Sequence, residues 1–211
     1  MQIKWYFDKF ARPFLKDSIT LSKLELDQID EFTDRLVDEK MKQTRFLTQK
    51  RTTVKNSFYN GYLGEVATEN FLGTKFIHWK IREEKELDIS DLSYLGINVG
   101  IKTAEFGNLP LVYHYPKTPE IITIIEKPKT VYIFGYATIP VLKYYQSSNY
   151  AFGDVVRIKG GFWGFHKLHE FKSIDDLRMI YNDKNLNFQN NFYDTPKDFT
   201  KKDSSLVCWD F

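Results

Sequence analysis

Two apolar runs, at residues 121–125 (IITII) and 131–139 (VYIFGYATI), constrain the fold of this chain more than any other feature. Both are short, rich in β-branched and aromatic residues, and apolar at consecutive positions. Such runs read as strands buried on both faces, and the second is continuous enough to sit centrally in a sheet. A third stretch, 97–103, alternates instead: Ile97, Val99 and Ile101 face one side, while Asn98, Gly100 and Lys102 face the other. Residues 75–80 (KFIHWK) and 162–167 read as further short strands, with the glycines at 160 and 161 in a hairpin turn.

Helical patterns flank these strands. Ser22 and Glu25 match a capping box, and Leu26, Ile29, Phe32, Leu36 and Val37 recur behind them at helical spacing. A second helix is expected from about 56 to 72. Tyr59, Tyr62, Leu63, Val66 and Ala67 lie along one stripe of it, and the small residues Gly61, Gly64 and Ala67 permit close packing on a sheet; Gly73 is placed as its C-cap. Ser173 caps a third helix through Asp176, with Ile174, Leu177 and Ile180 inward. Residues 1–21 read as an irregular or strand-like arm. The order predicts an α/β fold, a mixed central β-sheet flanked by helices. The organisation expected is an N-terminal arm and long helix over 1–55, a core over 56–181, and a C-terminal surface segment over 182–211.

Charge is polarised near the first helix. Residues 25–39 carry seven acidic side chains and one basic, whereas 40–55 carry six basic and none acidic. A solvated helix face explains such a run. A phosphate-facing stripe of Lys40, Lys42, Arg45, Lys50, Arg51 and Lys55 explains it equally well.

Composition excludes several classes. Charged residues at 27% and apolar residues at 42% of the 211 positions are those of a folded chain, not a disordered one. The single cysteine, Cys208, excludes an intramolecular disulfide and a cysteine-rich zinc site. The N-terminal residues lack a continuous apolar stretch, and no window approaches the length of a membrane span, so the expected compartment is the cytoplasm. Net charge is only +2, so any polynucleotide partner must be recognised by the distribution of charge, not its sum. The four histidines, His78, His114, His166 and His169, have no zinc-helix spacing and are expected to pack or hydrogen-bond. There is no Gly-x-Ser-x-Gly elbow and no phosphate-binding Gly-Lys-Ser/Thr loop. Tyr113, Tyr115, Tyr144, Tyr145 and Tyr150 form an aromatic group that serves packing or base stacking.

The segment that carries chemistry runs from Glu65 through Asp88 to Lys102. A lysine in mid-strand is costly to bury alone, so carboxylates are expected to converge on it. Clustered carboxylates recruit Mg²⁺, which lowers the pKa of a bound water and polarises a phosphate. The pattern Gly61-Tyr-Leu-Gly-Glu65-Val-Ala, Leu87-Asp88-Ile89 and Val99-Gly100-Ile101-Lys102-Thr103 resembles the PD-(D/E)XK superfamily of restriction-endonuclease-like nucleases.

That resemblance implies a restriction-endonuclease-like core and hydrolysis of phosphodiester bonds in DNA, as in restriction, phage or mobile-element endonucleases. It implies Glu65, Asp88 and the Ile101 backbone carbonyl as ligands of Mg²⁺ or Mn²⁺, and Lys102 as the base or water-positioning group. It implies DNA as partner, with RNA the other polynucleotide of the same backbone chemistry, a homodimer, and no membrane. The pattern departs from the family at Gly100, where the second acidic residue belongs. Either another carboxylate fills that space, with Glu69, Asp91 and Glu105 the candidates, or the chain is a catalytically inactive nucleic-acid-binding or protein-interaction module on the same fold, or the likeness is one of spacing alone.

Overall fold

A computed structural model describes residues 2–42, 49–81, 90–150, 157–183 and 186. Its centre is a four-stranded mixed sheet. The strands are β1 (Asp17–Thr20), β2 (Gly100–Glu105), β4 (Glu120–Glu126) and β5 (Thr130–Ala137), in the order β1-β5-β4-β2. β2 runs parallel to β4, and the other pairs are antiparallel. The two apolar runs are β4 and β5, the middle strands, as their two-sided hydrophobicity requires. β5 carries a bulge where its register with β4 shifts at Ile122 and Thr123. Gly135 lies beside that bulge at φ 143°, where a Cβ would stand 2.7 Å from the His169 carbonyl oxygen. Only glycine lets that backbone approach.

Two helices cover one face of the sheet. α2 (Lys23–Lys40) starts at the expected capping box, in which Ser22 and Glu25 bond each other's backbone N–H. α3 (Arg51–Leu72) ends at Gly73 in the left-handed conformation. Leu63, Val66 and Ala67 of α3 pack with Ile101, Ile121, Ile125 and Ile133 of the sheet. α5 (Ile174–Asn182), capped by Ser173, adds Leu177 to the same core.

The opposite face is covered by elements that the sequence reading missed. These are α1 (Gln2–Phe10), α4 (Ile139–Tyr144) and a small sheet of β3 (Leu111–Tyr113), β7 (Lys159–Phe162) and β6 (Gln146–Ser147), in the order β3-β7-β6. Phe7, Val112, Val141, Leu142 and Phe162 meet Ile122, Ile124 and Phe134 there in a second core.

Several expectations change accordingly. Residues 2–20 hold a helix, a 3-10 turn and an edge strand that pairs with β5, not an irregular arm. α3 begins at Arg51, five residues before the expected start, and buries Val54 in its first turn. Residues 75–80 form no strand: the backbone N–H groups of Phe76 and Ile77 are taken by the Glu69 carboxylate instead of a neighbouring strand. The glycines at 160 and 161 are not a turn but strand β7, which passes so close to Ser147 and Tyr150 that side chains there would collide. Beyond β7 the expected strand is replaced by a short 3-10 helix, Phe165–Lys167. Of the 182–211 segment, only positions 182, 183 and 186 fall within the described residues. Among the described residues, no helix is long and apolar enough to cross a membrane.

The charge polarity seen in the sequence resolves into ion pairs between α2 and α3. Arg51 bridges Asp34 and Asp38 at 3.1 and 2.8 Å, and Lys55 bridges Asp30 and Asp34 at 2.8 and 2.7 Å. Lys42 pairs with Glu39, and Lys40 is buried at 2% exposure. Lys50 is exposed at the start of α3, and Arg45 lies outside the described residues. The phosphate-facing stripe is therefore not a continuous exposed surface. Packing α3 on α2 turns its cations onto the acids of α2, where exposed pairs contribute little each.

Candidate active site

The strand pleat places Lys102. Ile101, Thr103 and Glu105 face α3, as the bond from Asn60 Nδ2 to Glu105 Oε1 and the contact of Gly64 with Thr103 require. Lys102 and Ala104 therefore face the small sheet. There the Lys102 Nζ stands 3.6 Å from Glu120 Oε1 and 5.9 Å from the centre of the Tyr113 ring. Glu120 opens β4, and the parallel ladder makes it the direct Cα partner of Gly100. A Cβ added to Gly100 would meet Glu120 Cγ and Asp91 Oδ2, each at 3.7 Å. The space in front of Gly100 is thus bounded by the side chains of two other acidic residues. Asp91 is anchored by its Oδ2, which accepts the Ile101 N–H at 2.7 Å.

Burial sets the electrostatics. Glu120 is only 5% exposed, and its Oε2 has no hydrogen-bond partner. Desolvation pushes its pKa up to about 7; Lys102 opposes that rise, and Asp91 adds to it. Burial pulls the Lys102 pKa down, but attraction by Glu120, and then by Asp91, more than offsets it and holds the ammonium above its ordinary value. The lysine is therefore a fixed cation near neutral pH.

This pair makes stability depend on pH in a defined direction. Between the ordinary carboxylate value of 4.5 and about 7, folded Glu120 keeps a proton that the unfolded chain has released. The folded state binds more protons, so this contribution to stability falls as pH rises through that window. Glu120→Gln removes the dependence. Its stability relative to the wild type is expected to rise by about 2–3 kcal/mol between pH 5 and pH 8, measured by urea unfolding at each pH. A difference that stays constant with pH would show that Glu120 is ionised throughout.

The expected site residues divide as follows. Lys102 and Asp91 come together. Glu65 is half-buried on α3, one turn beyond Gly61, but the carboxylates acting most strongly on Lys102 are Glu120 and Asp91. Asp88 lies outside the described residues. Glu69 is not a substitute acid: it is 3% exposed, accepts the Phe76 and Ile77 N–H groups at 2.6 and 2.7 Å, and pairs with Lys75. Glu105 is not one either, because the pleat turns it to the α3 side, where it binds Asn60 and Lys127. Glu120 was missed altogether. Its one signal was an acid opening an otherwise apolar run, in a strand whose pairing with 100–105 no local pattern reveals.

Beside Lys102 lies a cleft of about 540 Å³, bounded by α3 at Ser57, Asn60 and Gly61, by β2, and by Leu111 and Lys159 of the small sheet. Among the described residues, no three His, Cys, Asp or Glu side chains gather as a metal-binding group. Compared with family models, curated proteins and solved structures, the chain matches none.

Proposed function

We propose that this chain is a Mg²⁺-dependent nuclease acting on DNA, with a restriction-endonuclease-like core whose second acidic position is filled from the neighbouring strand by Glu120. The observation that carries the reading is the Glu120 carboxylate in front of Gly100, 3.6 Å from the Lys102 amine. An acid two residues before the lysine would share that face of the sheet, and Glu120 takes its place.

A divalent cation fits these residues. Glu120 Oε2 is a buried carboxylate oxygen without a partner, and Asp91 stands beside it, so both are hard oxygen donors of the kind Mg²⁺ takes. Asp91 and Glu120 would hold the ion. The ion supplies Lewis-acid polarisation of the phosphate and a water of lowered pKa. Lys102, fixed as a cation, orients the attacking water and offsets charge that builds on the phosphoryl oxygens. It serves as water-positioner and not as base, because its carboxylate neighbours keep it protonated.

Incubation of the purified chain with plasmid DNA in Mg²⁺ and in Mn²⁺ tests this. Cleavage is expected with the wild type, and Lys102→Ala is expected to lose it by about 100-fold or more. No cleavage with either ion would refute the reading. A second reading, a binding module without catalysis, rests on Gly100 standing where the family has its second acidic residue. Retarded DNA mobility without cleavage would establish it instead.

A further inference from the structure

The cleft next to Lys102 has two unlike ends. At one, the ammonium groups of Lys102 and Lys159 lie 5.9 and 4.6 Å from the centre of the same Tyr113 ring. Both cations act on the buried Glu120. At the other end α3 presents Ser57 and Asn60, with Asn108 across from them. Asn60 gives its Nδ2 to Glu105, which leaves its Oδ1 buried with no hydrogen-bond partner. Leu109, Leu111 and Tyr150 complete the lining with apolar and aromatic surface.

Each feature selects against a bare anion and against intact duplex. A volume of about 540 Å³ falls within the range of small-molecule sites. An inorganic phosphate would use only the lysine end. The orphaned acceptor of Asn60 calls for a donor such as the amino or imino group of a base edge. Bases of intact duplex are stacked and paired, so their edges reach a recess like this one only after leaving the stack.

We infer that this cleft holds one unpaired nucleotide, its phosphate at Lys102 and Lys159 and its base at Asn60 and Asn108, so that the preferred substrate is single-stranded or frayed. The inference deepens the nuclease reading and rests on it for the cleavage step only. Binding stands apart from cleavage, and that separation makes the test decisive.

Fluorescence anisotropy with the full chain in EDTA would compare labelled oligo(dT) with a blunt duplex of equal length. The single strand is expected to bind at least about tenfold tighter, the scale of one stacked base. Asn60→Leu and, as the variant that alters no α3 residue, Asn108→Ala are expected to weaken strand binding several-fold while leaving duplex binding unchanged. Thymidine monophosphate is expected to compete better than inorganic phosphate. Equal affinity for strand and duplex, equal competition by the two phosphates, or insensitivity to both variants would overturn the inference. Strand binding that depends on Asn60 without cleavage in Mg²⁺ or Mn²⁺ would uphold the cleft and refute the nuclease. Equal cleavage of closed duplex and single strand would uphold the nuclease and refute the cleft.

Discussion

Glu120→Gln is expected to lose about 100-fold or more of Mg²⁺-dependent DNA cleavage at pH 8, while its stability relative to the wild type climbs with pH. The amide keeps the size of the side chain but neither titrates nor offers Lys102 a counter-charge, so the pH dependence is lost together with the chemistry. Relocating the acid completes the test. Gly100 and Glu120 are ladder partners with side chains on one face, and a Cβ at Gly100 meets its neighbours at ordinary contact distance. Gly100→Glu combined with Glu120→Ala moves the carboxylate to the neighbouring strand. The double variant is expected to recover at least about tenfold of the activity lost by Glu120→Ala alone. Circular dichroism of each variant confirms that the fold persists. If Glu120→Gln cleaves as the wild type does, Glu120 is a packing residue and the proposed catalytic centre is wrong.

The second large effect concerns how closely α3 lies on the sheet. At Gly64 an added Cβ would overlap Thr103 Oγ1 and stand 2.8 Å from Thr123 Oγ1, the two hydroxyls that bond each other at 2.9 Å. At Gly61, three residues earlier on the same helix, nothing lies within 4 Å. The same substitution should therefore have opposite signs. Gly61→Ala is expected to stabilise by up to about 1 kcal/mol through helix propensity. Gly64→Ala is expected to destabilise by about 2–3 kcal/mol in spite of that gain, because the helix must lift from β2, and Gly64→Val by more. Lifting α3 also moves one wall of the cleft, so Gly64→Ala should raise the KM for DNA. Urea unfolding of the two alanine variants measures the contrast. Equal stabilisation by both would mean that α3 does not lie this close to the sheet.

Local patterns carried much of the scaffold. The capping box at Ser22, the serine cap of α5, the terminal Gly73 and the two buried strands are each specified by a few neighbouring residues, and each forms where it is expected. The mixed sheet with flanking helices follows from their order. The small sheet does not follow, because strands of two to four residues hold too few positions to establish a period. The helical nature of residues 2–10 was obscured by scattered aromatics, of which Tyr6, Phe7 and Phe10 are spaced for packing on the second core.

Within the candidate site the same division holds. Sequence alone determined that Lys102 lies in mid-strand, opposite the apolar face, and that a carboxylate must join it, since a half-buried ammonium demands a counter-charge. Tertiary structure decided which one. Glu120 reaches Gly100 only because β4 runs parallel to β2 in one register, and Glu69 and Glu105 are drawn off by nearer donors. Register between distant strands is set by the fit of whole layers, so no residue at 100–105 encodes it by itself.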